Sequence, residues 1–257
     1  MEFIEYGVAE RIATIALNRP DKRNAFNIGL VSELKLALEM AEKDDAVKVI
    51  LIKANGQVFS AGADLGYLQQ MQTYTHEQNI ADSSALAQLF KYIYQHPKII
   101  VAQIEGHAIA GGCGLAMLCD FSFAVPEAMF GYSEVKIGFI PAIVMVFLLR
   151  KIGEGRAKDL LLSARLISAQ EALNYGLITK VSAADKIQSE VSNFMQQLCV
   201  ECSAEALKMT KTMIAEVQNL SLDQALIYAA EMNALARTTE ACKKGISSFI
   251  NKEKLMW

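Results

Sequence analysis

Apolar residues along the chain recur at two spacings, and the shorter spacing predicts strands. Residues 3–18 predict two short strands around a turn, because apolar and polar residues alternate in the segment RIATIAL. Residues 47–54 are rich in β-branched residues and have the length of a buried strand. Residues 99–106 predict another strand, which runs directly into a glycine-rich turn. The shorter run 121–125 predicts one more strand.

Helical spacing separates these strands. Residues 30–44 carry an apolar stripe, and residues 83–95 predict a second helix that ends before Pro97. The polar stretch 66–80 between them predicts an irregular loop. Strands separated by helices of this length require parallel crossovers, so the fold class predicted is α/β.

The second half of the chain is predicted to be helical from about residue 142 onward. Ser168 with Glu171, and Ser221 with Gln224, have the spacing of capping boxes that open helices. No strand pattern follows residue 200. We therefore expect a core over residues 1–200 and a helical lobe over residues 201–257.

Charge and cysteine content narrow the classes of function. The formal net charge of −3 gives no basic surface for nucleic acid or for an anionic membrane. Five scattered cysteines predict reduced thiols and a cytoplasmic location. The first residues carry no basic-then-apolar leader pattern, and no uncharged apolar run approaches the length of a membrane span.

Two strands run directly into turns of small residues, VILIKANGQVFSAGAD at 49–64 and IIVAQIEGHAIAGGCG at 99–114. Small residues let a backbone approach a ligand closely, and two backbone N–H groups in such turns can hold an oxygen that becomes negative during a reaction. The apolar residues after Gly112 predict that a helix starts there, with its N–H groups facing the turn. The alternative is that the glycines only permit tight packing of the helix on the strand.

Four ordered motifs resemble the enoyl-CoA hydratase/isomerase, or crotonase, superfamily. They are FSAGADL (59–65), AIAGGCGLAMLCD (108–120), FGYSEVKIGFIP (130–141) and LISAQEALNYGLITKV (166–181). The resemblance implies a spiral core of repeated ββα units and a C-terminal helical lobe that forms trimers, often paired into hexamers. It also implies a CoA thioester as substrate and an oxyanion hole made by the N–H groups of Ala63 and Gly111.

Glu134 matches the catalytic glutamate of that superfamily. Its apolar neighbours Val135, Ile137 and Phe139 predict partial burial, which would raise the pKa of its carboxyl group into a useful acid–base range. The alternative is a solvated loop glutamate. Gly114 is a departure, because the two-glutamate hydratases of the family carry a second glutamate at this position. A double-bond isomerase needs only the glutamate that matches Glu134.

The segments SEVKIGFIPAIV and FINKEKLMW are most similar to methylglutaconyl-CoA hydratase-like members, which can lack the first glutamate. The substrate of that branch carries a carboxylate of its own. The sequence therefore predicts a hydratase, with an isomerase or a non-catalytic acyl-CoA-binding protein as alternatives. A nucleic-acid-binding role is not expected, since the helix predicted near residues 29–45 has two lysines against five acidic residues.

The resemblance also implies a set of substrate-binding positions and an assembly. The residues expected to contact the substrate or CoA are Lys22, Arg23, Ala61, Asp64, Leu65, Gly114, Phe249 and Lys252. Tyr67 and Tyr132 are candidates to reach the pocket, and His107 is expected to be structural. We expect a homotrimer or hexamer built through the apolar segment 221–236, with no metal and no cofactor beyond the CoA of the substrate.

Overall fold

The larger of two sheets forms the centre of the protein in a computed structural model that describes residues 1–257. Its strand order is β1 (Ile4–Ala9), β2 (Ile12–Leu17), β3 (Val49–Ala54), β5 (Ile99–Ile104), β7 (Phe121–Ala124) and β10 (Lys180–Val181). β1 and β2 form an antiparallel hairpin, and the other neighbours pair in parallel. All five strands predicted for this sheet are confirmed: two within residues 3–18, and one each within 47–54, 99–106 and 121–125.

A second, smaller sheet was not predicted from the sequence. It consists of β4 (Val58–Ser60), β6 (His107–Ile109), β8 (Met129–Gly131) and β9 (Leu166–Ser168), in that order. β4, β6 and β8 are parallel, and β9 is antiparallel to β8. Three-residue strands are too short to give an alternating pattern that can be read from the sequence.

Ten α-helices connect and cover the strands. They are α1 (Ile28–Lys43), α2 (Leu65–Met71), α3 (His76–Gln95), α4 (Gly111–Leu118), α5 (Ala142–Ser163), α6 (Ala169–Tyr175), α7 (Ile187–Glu201), α8 (Ala204–Val217), α9 (Leu222–Thr238) and α10 (Glu240–Asn251). Single 3₁₀ turns lie at Pro20–Lys22 and Glu134–Ile137, and Gly153 interrupts α5 with non-helical backbone. No helix combines the length and the apolar character needed to cross a bilayer.

The prediction of an irregular loop at 66–80 is wrong. α2 begins after Asp64, whose carboxylate accepts a hydrogen bond from the Tyr67 N–H, and α3 begins after Thr75. Thr75 and Gln78 form a complete capping box, because each side chain bonds the other's backbone N–H. These caps satisfy the free N–H groups of both helices, so polar composition does not prevent helix formation here.

The two capping boxes expected in the second half differ in outcome. Ser221 and Gln224 form the complete box at the start of α9. The Ser168 hydroxyl accepts a hydrogen bond from the Glu171 N–H at the start of α6. However, the Glu171 carboxylate is held by Arg165 at 2.6 Å, so the return bond to the backbone is not made.

The core lies between the larger sheet and its flanking helices, and all six residues of β5 are buried. A strand that is covered on both faces is mostly apolar, and five of the six residues of β5 are apolar, which is why β5 was predictable. The C-terminal helices differ from this core, since α9 has no buried residue. Large apolar side chains lie exposed along α9 and α10: Leu222, Leu226, Ile227, Leu235, Ile246, Phe249 and Ile250. The division at residue 200 stays a prediction.

Candidate active site

The smaller sheet gathers three backbone segments at one edge. β4 ends three residues before Ala63, β6 ends two residues before Gly111, and β8 ends three residues before Glu134. Because β4, β6 and β8 are parallel neighbours, their carboxyl ends lie side by side. Ligand sites of parallel sheets form outside such ends. The sheet thus brings together three residues that are far apart in the chain.

The Ala63 N–H group points away from Phe26, the residue that pairs with Ala63. Phe26 forms a parallel bridge with Ala63: its N–H donates to the Gly62 carbonyl at 2.6 Å, and its carbonyl accepts from the Asp64 N–H at 2.9 Å. In a parallel bridge of this kind the central residue's own N–H points to the opposite side. The Ala63 N–H therefore has no acceptor in the chain, and its residue is exposed.

The Gly111 N–H group is freed by an unusual turn. Ala110 adopts φ 51° and ψ −123° directly before α4, a conformation that is strained for an L-residue. Its N–H donates to the Gly131 carbonyl at 2.8 Å, which anchors the turn to β8. As the first residue of the helix, Gly111 has an N–H without an intrahelical acceptor. The positive end of the α4 dipole lies at the same point.

The two turns touch each other at Gly62. Gly62 has φ +86°, and a Cβ atom built on it would lie 2.7 Å from the Ala110 Cβ and 3.3 Å from the Gly111 nitrogen. Such close backbone approach requires a residue without a side chain. The geometry therefore places the Ala63 and Gly111 amides on neighbouring segments, where they are able to serve one oxygen atom.

Glu134 opens the 3₁₀ turn Glu134–Ile137 that follows β8. Burial raises the pKa of its carboxyl group above the ordinary glutamate range, with its own backbone N–H opposing part of that effect. Its Oε2 atom is buried and has no hydrogen-bond partner. The backbone N–H compensates the charge of this carboxylate only in part, so the site favours a protonated acid more than an exposed glutamate does.

Gly114, the position that departs from the two-glutamate hydratases, is closely packed. Gly114 is a buried residue within α4, and no positive φ strains its backbone. A Cβ atom at this position would lie 2.6 Å from Val144 Cγ1 and 2.9 Å from Phe90 Cε2. Val144 and Phe90 are themselves buried. Apolar side chains thus fill the volume that a glutamate side chain at position 114 would enter.

A pocket of about 110 Å³ begins at Ala63 and runs between α1, α2 and α3. Its lining residues are Phe26, Asn27, Ile28, Val31, Ala63, Tyr67, Leu68, Met71, Asp82, Ser83, Leu86, Phe139 and Ile143. The Tyr67 hydroxyl donates a hydrogen bond to the Asp82 carboxylate within it. Tyr67 was a candidate from the sequence, whereas Asp82 was missed, because nothing in the sequence pairs residues fifteen positions apart across a loop.

The positions expected to bind substrate near Ala63 differ in exposure. Leu65 is 79% exposed. Asp64 is half-buried and holds Arg19 in an ion pair at 2.7 Å, so its carboxylate braces the turn that carries Ala63. The Ala61 N–H donates to the Arg23 carbonyl at 3.0 Å, which ties the exposed Lys22–Arg23 turn to the end of β4. These contacts place Lys22 and Arg23 beside the same turn.

The remaining candidate residues differ in position and burial. Phe249 is 86% exposed on α10, and Lys252 follows that helix with φ 57°. Tyr132 is completely buried, and its hydroxyl has no hydrogen-bond partner. His107 is exposed and accepts a hydrogen bond from the Met129 N–H through Nδ1. Burial lowers the pKa of another histidine, His96, to about 4.

Comparisons with known proteins agree with this arrangement. The sequence profile described as Enoyl-CoA hydratase/isomerase matches residues 7–257. A crotonyl-CoA hydratase from Syntrophomonas wolfei is 32% identical, over 95% of this chain and 94% of that protein. A trans-2-decenoyl-[acyl-carrier-protein] isomerase from Streptococcus mutans is 29% identical, over 99% and 98% of the two chains.

A solved structure shares the whole architecture. The crystal structure of an enoyl-CoA hydratase from Shewanella pealeana superposes with a TM-score of 0.93 at 29% identity, over 99% of this chain and 96% of that chain. The resemblance in the four sequence motifs is therefore confirmed over the full length. With an α/β fold of the same kind and a profile match across nearly every residue, this chain is an enzyme that belongs to the enoyl-CoA hydratase/isomerase family.

Proposed function

We propose that the protein is an enoyl-CoA hydratase in which Glu134 is the acid–base group at C2 of the acyl chain. The observation that carries this proposal is the buried Oε2 atom of Glu134, which has no hydrogen-bond partner and lies at the same sheet edge as two amides that have no acceptor of their own. An enolate needs both elements, a proton-transfer group at carbon and donors for the oxygen.

Each element has one step in the reaction. The thioester oxygen accepts hydrogen bonds from the Ala63 and Gly111 N–H groups, which stabilise the negative charge that develops when water adds at C3. Glu134 in its acid form then gives a proton to C2, and the enolate collapses to the 3-hydroxyacyl thioester. The raised pKa of Glu134 increases the fraction of the acid at neutral pH.

The acyl group is proposed to be short. A pocket of about 110 Å³ has room for only a few heavy atoms beyond the thioester. The resemblance to methylglutaconyl-CoA hydratase-like proteins makes 3-methylglutaconyl-CoA one substrate to assay and crotonyl-CoA its uncharged comparison. No lysine or arginine lines the pocket, so a substrate carboxylate would need to point toward its mouth or toward another subunit.

The experiment is a product assay of the purified protein in H₂¹⁸O with both thioesters, followed by mass spectrometry. We expect a 3-hydroxyacyl-CoA product that carries one ¹⁸O atom, and Glu134→Gln to lose this activity. Absence of ¹⁸O incorporation from every enoyl-CoA tested would contradict hydration. Retention of wild-type turnover in Glu134→Gln would contradict the role of Glu134.

A second candidate function is double-bond isomerisation, in which Glu134 alone moves a proton between C2 and C4. One observation favours it: Val144 and Phe90 fill the position where a second glutamate would hold the attacking water. Conversion of 3-hexenoyl-CoA to 2-hexenoyl-CoA without ¹⁸O incorporation would support this function over hydration.

We also propose that CoA phosphates bind at the exposed Lys22–Arg23 turn, and that α9 and α10 pack between subunits of a trimer or hexamer. Exposed apolar side chains on both helices, Phe249 among them, support an interface. Light scattering at micromolar concentration is expected to give three or six chain masses, and a clean monomer would contradict the assembly.

The double variant Lys22→Ala/Arg23→Ala tests the proposed CoA-phosphate contact and is expected to raise KM and leave kcat unchanged.

A further inference from the structure

The hydration of an enoyl-CoA requires a group that accepts a proton from the attacking water, and the proposed function leaves that group unassigned. Glu134 acts at C2, and the space at Gly114 is closed by Val144 and Phe90. The inference below rests on the proposed hydratase activity and concerns only the water.

The pocket that starts at Ala63 contains one carboxylate, that of Asp82 on α3. The other polar side chains that line it are less suited to accept a proton. Asn27 caps α1 with its Oδ1, which accepts from the Leu30 N–H at 2.8 Å. Ser83 and Tyr67 carry hydroxyl groups. Asp82 is thus the one lining residue whose side chain is a base of the right kind.

Tyr67 fixes the orientation of this carboxylate. Its side chain comes from α2, four residues after Ala63, and its hydroxyl donates to Asp82 Oδ1. The second oxygen, Oδ2, makes no hydrogen bond within the chain. Burial and the bond to Asp82 raise the pKa of Tyr67, so the hydroxyl keeps its proton and stays a donor at neutral pH. One carboxylate oxygen is anchored, and the other is free.

We propose that Asp82, oriented by Tyr67, is the general base for the water that adds to C3. In this step the water oxygen forms a bond to C3, and one water proton passes to Asp82 Oδ2. The C2–C3 double-bond electron pair moves onto the thioester to give the enolate at the Ala63 and Gly111 amides. Glu134 then delivers its proton to C2, and proton exchange of both carboxyl groups with solvent restores the starting state. One water is consumed, and no other reactant is needed.

This assignment explains why a chain with Gly114 keeps a tyrosine–carboxylate pair in a mostly apolar pocket. A hydrogen-bonded tyrosine and aspartate add little to apolar packing, and they cost desolvation unless both groups are satisfied. Ala63, Tyr67 and Asp82 line the same small pocket, so an acyl chain that enters it from Ala63 passes the Tyr67–Asp82 pair.

The test separates the water step from the C2 step. The variants are Asp82→Asn and Tyr67→Phe, and two reactions are measured: hydration of crotonyl-CoA, and exchange of the C2 protons of butyryl-CoA with D₂O, which needs no attacking water. We expect Asp82→Asn to lose hydration by a factor on the order of 10²–10⁴ and to keep C2 exchange within about twofold of wild type. Tyr67→Phe is expected to lose less hydration, because it removes only the orientation of the base.

A matched control exists on the same helix. Tyr92 on α3 donates a hydrogen bond to Glu42 in a second tyrosine–carboxylate pair, which lies outside the pocket. Glu42→Gln and Tyr92→Phe are expected to leave both reactions unchanged. These two variants measure how far the loss of a tyrosine–carboxylate hydrogen bond changes activity by destabilising the fold.

The outcomes distinguish this inference from the proposed function. If wild type hydrates crotonyl-CoA and Asp82→Asn hydrates it equally well, Asp82 is not the base. If Asp82→Asn loses hydration and C2 exchange in the same proportion, Asp82 is structural and the inference is also overturned. If wild type catalyses C2 exchange and never hydration, the proposed hydratase function itself fails.

Discussion

Replacing Gly62 by alanine tests whether the two amide-bearing turns depend on their mutual contact. An alanine at φ +86° adopts a left-handed backbone, which costs roughly 1–2 kcal/mol. Its Cβ would meet the Ala110 Cβ at 2.7 Å and the Ile109 carbonyl oxygen at 3.0 Å. Forcing an extra methyl group into such a contact costs about 1–3 kcal/mol. We expect the free energy of unfolding to fall by about 2–5 kcal/mol in total.

The larger effect is expected on turnover. Gly111 directly follows Ala110, and Ala63 directly follows Gly62. A shift of either turn therefore moves one of the two N–H donors away from its position. Loss of one oxyanion donor lowers kcat by a factor on the order of 10²–10³. The measurement is kcat with crotonyl-CoA beside the midpoint of chemical unfolding, at a temperature where the variant is still folded.

Two control variants separate the contributions. Gly176→Ala carries the same backbone strain at φ +76°, with no atom within 4 Å of the new Cβ. Gly56→Ala adds a contact of 2.7 Å with Pro20 Cβ at φ +89°, away from both amides. Both are expected to lose stability and keep kcat. If Gly62→Ala behaves like these controls, with stability reduced and kcat unchanged, the reasoning about the touching turns is refuted.

Glu134→Gln is expected to be more stable than wild type at neutral pH and equally stable near pH 4, as measured by thermal unfolding across pH. Burial raises the folded-state pKa of Glu134, so above about pH 4.3 the folded protein binds more protons than the unfolded chain. Wild-type stability therefore decreases as the pH rises from the unfolded-state pKa through the folded-state pKa. Equal stability of the two proteins at pH 7 would contradict this reasoning. Gly114→Ala and Val144→Ala are each expected to cost about 1–3 kcal/mol in urea unfolding, and the double variant less than their sum. Strict additivity would show that the two residues do not share one space.

The long elements of the larger sheet were predictable because burial imposes a pattern on the sequence. The buried part of β3 is apolar, β5 is apolar except at Gln103, and α1 shows its stripe at Leu30, Leu34 and Leu38. The two turns that carry the Ala63 and Gly111 amides were predictable for a related reason, since a close backbone approach requires small residues such as Gly62 and Gly111.

What the sequence left open depends on contacts between distant segments. β4, β6 and β8 are three residues long, and only their pairing shows that Ala63, Gly111 and Glu134 share an edge. The bond between Tyr67 and Asp82 joins two helices across a stretch that was predicted to be irregular. The volume at Gly114 was also not predictable, because it depends on where α5 places Val144.

The contact between Gly114 and Val144 limits the evolutionary paths open to this protein. A glutamate at position 114 meets Val144 Cγ1 before it gains any function. A smaller residue at position 144, acquired first, leaves a cavity beside Phe90 and lowers stability without any catalytic gain. Each of the two substitutions is harmful when it occurs without the other. A path of single substitutions to a two-glutamate enzyme therefore passes through a less fit intermediate. Packing at Gly114 therefore opposes the stepwise gain of a second glutamate at this position.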